Sequence, residues 1–482
     1  MTRVTSSGRA VAAVLLAATV LVSGCGTRAS DEEVRAGVSA GPVQLDQAAR
    51  DQLAAAQAPG AAPITDVPGT TVVPGIAPGT ATTPGTTNPG TVTSRTKPAA
   101  GGTTAPASDG KCTTQGVPLN LGQIGSFSGV LGAITASART TLAIWAKHVN
   151  ATGGIACHPV TVFAADDGAD PSRGAAAAQD LISNKKVSAF VAMFTPLSLP
   201  AILPVLERNK VPVVGGDGVD FAWTKHPLLF PQGASLEGLI DGGVRQTVGE
   251  GKTKLGLLYC VEASICTALA KLIPEKAKAA GAEMVYTSPV SLTQTDFTAQ
   301  CQNAKNAGVE AFGMGVDGSA IARVARSCAA LGYFPQFTSG GGVISPAQSK
   351  DPGIRRNTLS VASANAPWML TDTPGQKEYA AALAQYAPGM ETDGNSMTAW
   401  ASAKLFEAAI ANLGTVARDK AITSPDVLTG LGKIKNETLD GLSPPITFSP
   451  GQKAAPSIRC IYFELLTEKG WTAPKGSKFV CT

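Results

Sequence analysis

From about residue 112 onward, strand-like runs alternate with helical ones, and this alternation constrains the fold more than any other feature. Branched and apolar runs at 119–125, 160–165, 187–193 and 211–215 are separated by helical patterns at 133–150, 172–183 and 199–209. A second series has strands at 254–259, 283–287, 310–314 and 335–337, with helices at 267–280, 296–307 and 319–331. Strand, crossover helix and parallel strand in succession is the pattern of doubly wound α/β sheets. About 370 residues exceed what one hydrophobic core organises, so the two series, divided at 230–237, predict two similar lobes. Beyond 373 helices dominate, at 375–385 and 395–412, and the runs 446–449 and 458–466 look like a terminal hairpin.

The chain ahead of this body has a different character. Arg3 and Arg9 precede an apolar run at 10–22, shorter than the roughly 20 residues of a membrane span, so 1–24 reads as a signal peptide. It ends in Leu21-Val22-Ser23-Gly24-Cys25, which resembles the lipobox of bacterial lipoproteins and makes Cys25 the candidate lipidation site. The segment 25–111 carries Pro-Gly-Thr at Pro68, Pro78, Pro84 and Pro89 and few large apolar groups to offset ordering entropy. It reads as a flexible linker that could hold the body roughly 50 Å from its anchor. An alanine- and glutamine-rich run at 43–58 could form a marginal lone helix, and the threonine density permits O-glycosylation.

Setting Cys25 aside leaves eight cysteines, Cys112, Cys157, Cys260, Cys266, Cys301, Cys328, Cys460 and Cys481, and an even number in an exported chain reads as disulfides. Eight cysteines allow 105 pairings, which leaves the assignment open; joining sequence neighbours (112–157, 260–266, 301–328, 460–481) is the simplest. Zinc is disfavoured, because no Cys-x-x-Cys occurs and there are only three histidines, His148, His158 and His226. A net charge of +4 without Lys/Arg clusters leaves no footprint for nucleic acid.

The order of motifs resembles the type I periplasmic-binding fold, specifically the branched-chain amino-acid (Leu/Ile/Val) class of ABC-transporter substrate-binding proteins. Gly125-Ser126-Phe127-Ser128-Gly129 is similar to that family's turn after the first strand, and Asn150-Ala151-Thr152-Gly153-Gly154-Ile155 to its close of the first helix. Asp166-Asp167 with Asp170-Pro171, the proline-entered run 210–214, the late helix 396–410 with Trp400, and 442–448 followed by Gly451 extend the likeness over about 117–466. The resemblance implies three crossovers between lobes, near 232–236, 361–366 and 442–445. Lobe 1 would then comprise 112–234 and 362–443, and lobe 2 would comprise 235–361 and 444–482.

It also implies a ligand held at the carboxyl ends of the strands. On the first lobe the candidates are Ser126, Phe127 and Ser128, then Thr195 and Ser198, then Asp217 and Gly218; Ser198 fits equally well as a helix cap. Asp217 would repel a carboxylate and suits an amine or a pair of hydroxyls. On the second lobe they are Glu262 and Ser264 after the strand at 254–259, Asp317, and Gly341 in a glycine run that lacks the acid with which amino-acid binders of the family hold an ammonium. Asp166-Asp167 reads as structural.

Other motifs do not reach a chemistry. Gly313-x-Gly315-x-x-Gly318 lacks the acid that a dinucleotide fingerprint carries about 20 residues on. Gly251-Lys252-Thr253 precedes a strand rather than following one, and Phe127 occupies the centre of the only near match to Gly-x-Ser-x-Gly. The resemblance therefore implies a non-enzymatic, lipid-anchored extracytoplasmic protein, monomeric and without cofactor or metal. It would capture a small polar molecule, an amino acid or related compound, for the permease subunits of an ABC importer. A ligand-sensing receptor domain of the same fold and an exported α/β enzyme with an unrecognised site stay open.

Overall fold

The computed structural model describes Cys112 and residues 115–482 other than Ala263. The leader, Cys25, the spacer and its 43–58 run lie outside the described residues. Among the described residues, no helix is long and apolar enough to cross a membrane.

The first sheet has five parallel strands: β1 (Leu119–Gly125), β2 (Val160–Asp166), β3 (Ala189–Met193), β4 (Val213–Gly216) and β5 (Leu229–Phe230), in the order β2-β1-β3-β4-β5. Between them run α1 (Gly132–Ala151), α2 (Pro171–Ser183) and α3 (Leu199–Asn209). In the second sheet β6 (Lys254–Cys260), β7 (Glu283–Val290), β8 (Ala311–Gly315), β9 (Gln336–Gly340) and β10 (Leu359–Ser363) repeat the same winding as β7-β6-β8-β9-β10. The helices of that lobe are α4 (Leu236–Gly249), α5 (Ser264–Ala279), α6 (Thr298–Asn306) and α7 (Gly318–Ala330). Each sheet reverses its winding beside its first strand, which opens a crevice at the carboxyl ends of β1/β3 and of β6/β8.

After β10 the chain returns to the first lobe through α8 (Pro374–Tyr386), α9 (Gly394–Ala411) and α10 (Ser424–Leu431). Here Trp145 of α1 and Phe406 of α9 meet edge to face at 6.5 Å, inside a core that also holds Trp400. The Trp145 indole N–H donates to Glu407 at 2.6 Å. The chain then goes back to the second sheet as β11 (Cys460–Thr467), antiparallel to β10, with β12 (Gly470–Thr472) and β13 (Val480–Cys481) paired to it. The C-terminal hairpin is therefore β11–β12. Residues 446–449 form no strand; Ile446 makes a single bridge to Glu437, and Ile446 and Phe448 pack in the first-lobe core beside Phe230. With Ala455 and Ile458 in that same core, we place the third crossing at 456–459 rather than 442–445.

Among the elements that went unread in the sequence, β10 stood where a lobe crossing was expected, and α4 carries Gly238, Gly242 and Gly243, each unfavourable in a helix by about 1 kcal/mol against alanine. The packing accounts for two of these glycines. A Cβ at Gly238 would lie 2.5 Å from the Ile458 carbonyl oxygen, and one at Gly242 would lie 2.2 Å from the Ile461 side chain. The helix starts where Ser235 accepts from the Gly238 N–H at 3.1 Å.

All four sequence-neighbour cysteine pairs are bonded: 112–157, 260–266, 301–328 and 460–481. The motif at 150–155 closes α1 through Gly153 and Gly154, both at positive φ; at Gly154 a Cβ would fall 2.0 Å from the His158 carbonyl oxygen. The His158 ring lies between the carbonyls of Val117 (2.7 Å) and Ala417 (2.8 Å), a structural position.

A candidate ligand cleft between the two lobes

Three chain crossings, at 231–235, 363–366 and 456–459, hold the lobes together. Side-chain amides tie the first two. Gln232 accepts from the Gly216 N–H (3.0 Å) and donates to the Gly216 carbonyl (3.1 Å) and to Asn365 Oδ1 (3.2 Å). Asn365 in turn donates to the carbonyls of Gln232 (3.1 Å) and Leu442 (3.3 Å). At the third crossing Ser235 is hydrogen-bonded to Ser457 (2.9 Å) and donates to the Ile458 carbonyl (3.0 Å).

In front of this hinge lies a cavity of about 310 Å³ with walls from both lobes. That is within the usual size of small-molecule sites, roughly 300–1,000 Å³. The first lobe contributes Ile134 and Thr135 of α1, Phe194, Pro196 and Leu197 after β3, Asp217–Val219 after β4, and Asn395 and Thr398 of α9. The second lobe contributes Val316 and Asp317 after β8, the glycine run 340–342 after β9, Ser363 and Glu464. The cavity also continues behind these loops, between the second sheet and the helices α4 and α5.

Across the cavity mouth, the Asn395 amide donates to the carbonyls of Ile134 and, at 2.7 Å, of Gly342 on the other lobe. Gly342 has φ +80°, and a Cβ there would stand 2.2 Å from Asn395 Oδ1, so this bridge requires glycine. At Gly341 a Cβ would lie 2.8 Å from the Ser363 hydroxyl.

The sequence candidates divide by position. Asp217, Gly218, Asp317 and Gly341 line the cavity. Ser126, Thr195 and Ser198 are buried and are not among its walls. The Ser126 and Thr195 hydroxyls have no hydrogen-bond partner, the Thr195 N–H donates to Asp217 Oδ2 (2.8 Å), and the Ser198 hydroxyl donates to Asp167. Ser198 is the N-cap residue of α3 without making a side-chain cap bond. Phe127 lies outside the cavity with Arg139 5.6 Å from its ring centre, and Ser128 is exposed. Glu262 is exposed too and accepts from Ser291 (2.7 Å) and the Leu292 N–H (2.8 Å). Ser264 opens α5, and its side chain lies outside the described residues.

Asp317 caps α7, accepting from the N–H groups of Ser319 (2.9 Å) and Ala320 (3.3 Å). Asp217 accepts from Thr195, Val219 (3.1 Å) and the Trp223 indole (3.3 Å); burial pushes its carboxyl up to about 7 against these bonds. Sequence reasoning did not single out Glu464, which is 2 % exposed and accepts from Ser363 at 2.8 Å. Burial raises its carboxyl to about 8, helped by the charge of Asp393, whose own carboxyl burial raises to about 6. No lysine, arginine or histidine lines the cavity among the described residues, nor does any group of three His, Cys, Asp or Glu there suit a metal.

These raised carboxyls give stability a definite pH dependence. An acid that holds its proton more tightly folded than unfolded stabilises fully below its unfolded pKa, about 4, and the contribution is lost as pH rises through its folded value. The Tm of ligand-free protein is therefore expected to fall as pH rises from about 5 to about 8.5. Glu464→Gln should flatten the upper part of that slope. A scanning-fluorimetry profile with no slope there, or one identical in the variant, would count against this account of the buried acids.

Two sheets whose parallel strands are wound alike, a hinge of three crossings and a cavity shared by the facing strand ends define a two-lobed ligand-binding protein of type I periplasmic-binding architecture. A family model described as periplasmic binding protein matches residues 118–465, and the chain belongs to that family. Membership implies an extracytoplasmic location. Solved structures agree on the fold. A fatty acid ABC transporter substrate-binding protein from Thermomonospora curvata has 19% identity, covers 77% of this chain and 95% of its own, and superposes with a TM-score of 0.65. A possible leucine/isoleucine/valine-binding protein from Rhodopirellula baltica has 15% identity, covering 76% and 98% of the two chains, with a TM-score of 0.64. An ABC transporter solute-binding protein from R. palustris, in complex with benzoate, has 12% identity, covering 76% and 98%, with a TM-score of 0.63.

Proposed function

We propose that this protein is the solute-capturing component of an ABC importer, held at the extracytoplasmic face of a membrane through acylated Cys25. In this reading the spacer gives the body reach, the lobes close on one solute molecule, and the permease subunits recognise the closed form. The observation that supports it is one cavity walled by the strand-end loops of both lobes, in front of a hinge tied through Gln232 and Asn365. Two lobes pivoting on such a hinge can bury a ligand between them.

The chemistry of the walls bears on the cargo. An amino acid presents a carboxylate and an ammonium, yet no cation lines the cavity among the described residues, and the Thr195 N–H already donates to Asp217. Much of the remaining wall is aliphatic, so the expectation of a small polar solute finds little support in it. The three histidines stand outside the cavity: His148 beside Glu378 (3.3 Å), His226 beside Glu207 (2.9 Å), and His158 between two carbonyls.

Native mass spectrometry of protein purified without denaturation tests the reading. It should show one non-covalently bound small molecule per chain, released unchanged on denaturation, and adding that molecule back should raise Tm. Chemical conversion of the released molecule by the protein, or the absence of any solute that raises Tm, would overturn it.

A further inference from the structure

The second sheet presents two unlike faces. Along β8, β9 and β10 the residues Phe312, Met314, Phe337, Leu359 and Val361 point into the core shared with α6 and α7. The alternate positions, which period-two geometry sends to the opposite face, are Ala311, Gly313, Gly315, Thr338, Ser360 and Ala362. Every one of these is small, and every one lines the cavity.

Over that face lie α4 and α5, and they turn aliphatic side chains toward it. Leu239 and Ile240 come from α4, and Ile265, Leu269 and Ile273 from α5. All five are only partly buried, although they face inward on helices packed against a sheet. Protein interiors are close-packed, and helix and sheet normally fill the space between them with interlocking side chains. Here small residues on one side and incompletely covered aliphatic groups on the other leave an elongated apolar gap. It ends near Val244, Leu255 and Met284 and opens into the interlobe cleft. An apolar gap of this kind accepts a hydrocarbon far better than water, which needs polar partners.

The acidic and amide side chains lie at the other end of the same cavity, where Asp217, Asn365, Ser363 and Glu464 meet the cleft with no cation among the described lining residues. At mildly alkaline pH an anion placed there would face carboxylates on both lobes. A hydroxyl or amide could instead donate to them, since the amide hydrogens of Gln232 and Asn365 are already taken within the hinge.

We infer that the solute is an amphiphile, with an unbranched aliphatic tail running between α4, α5 and the second sheet and an uncharged, hydroxyl- or amide-bearing head at Asp217 and Glu464. This rests on the solute-capture reading above and specifies its cargo. Head charge separates it from a fatty-acid anion, and tail length separates it from an amino acid or a small aromatic acid.

Gly243 offers a direct probe. It lies on α4 at the cavity wall, and a Cβ there would meet only Ala362, at an ordinary 3.4 Å. Leucine at this position improves helix propensity and projects into the gap. Binding to the full-length protein, stripped of bound lipid and kept at mildly alkaline pH, would be measured by calorimetry with monododecanoylglycerol, dodecanoate and glycerol. The expected order is monododecanoylglycerol tightest, dodecanoate weaker by about tenfold or more through like-charge repulsion, and glycerol without measurable binding. Gly243→Leu should weaken monododecanoylglycerol by about tenfold or more while Tm is unchanged or raised. Leu269→Trp, which narrows the gap from α5, should do the same and serves if the first variant folds poorly.

Dodecanoate binding as tightly as the neutral lipid, or both variants binding like the parent, would overturn the inference. So would a small polar solute that raises Tm while the amphiphile does not bind, although solute capture itself would then stand. If neither the amphiphile nor any solute in a broad panel binds, solute capture falls with it.

Discussion

Asn365→Leu is expected to lower the free energy of unfolding by about 2–5 kcal/mol and to leave the two lobes without a fixed relation. Asn365 is 3 % exposed, and its amide serves two crossings at once, donating to the Gln232 and Leu442 carbonyls and accepting from Gln232 Nε2. Leucine matches it in size but offers neither donor nor acceptor, so two carbonyls and an amide N–H lose a partner in a buried setting. Each such loss costs about 1–3 kcal/mol when water cannot substitute. Gln232 would also lose the partner that keeps its amide on Gly216, the residue that precedes Asp217. Stability and solute affinity should therefore fall together. Equilibrium denaturation would check the first and calorimetry the second. A change below about 0.5 kcal/mol would mean that the side-chain amides do not hold the hinge.

The second large effect is expected from Cys301→Ala with Cys328→Ala. This cystine joins α6 to α7 on the outer side of the second sheet, with both cysteines fully buried beside Phe297 and Val324. It closes a loop of sequence separation 27, for which chain entropy gives about 3–4 kcal/mol. Its removal should lower Tm without changing which solutes bind, because neither cysteine lines the cavity. The cystine 260–266 gives the useful contrast. It closes a loop of separation only 6, for which the same relation gives about 2 kcal/mol, and both of its cysteines border the cavity. Removing it should affect affinity more than stability. Denaturation midpoints and calorimetric affinities for the two double variants would separate these roles. The assignment fails if the 301–328 variant loses affinity while the 260–266 variant keeps it.

The alternation of elements was legible because local chemistry and tertiary packing agree over most of the body. The helix expected at 199–209 forms over those residues, and β6, β7 and β8 start within one residue of the positions read from pattern alone. Legibility failed where tertiary contact overrides local preference. α4 tolerates Gly238 and Gly242 because Ile458 and Ile461 press against them, a contact more than two hundred residues away in sequence. The run 446–449 has strand composition, yet Ile446 and Phe448 take it into a helical core.

At the site, fold logic pointed to the loops after the strands, and the cavity borders several of them. It could not tell which hydroxyls already have internal roles. Ser198 donates to Asp167, and the Thr195 N–H serves Asp217, relations that appear only once β3 and β4 lie side by side. Glu464 escaped notice because β11 comes late in the chain and reaches the cavity only by pairing with β10. One signal of the aliphatic gap was present in the sequence. Ala-Phe-Gly-Met-Gly at 311–315 and Leu-Ser-Val-Ala-Ser at 359–363 alternate large with small, which assigns one sheet face to a core and gives the other only small side chains.

Small-angle X-ray scattering on the purified protein, stripped of bound molecules and then saturated with the solute that native mass spectrometry identifies, tests the central claim most directly. Capture between two hinged lobes predicts a smaller radius of gyration for the saturated protein, with the Asn365→Leu variant failing to reach the same compact form. A scattering profile unchanged by a solute shown to be bound one per chain would contradict it.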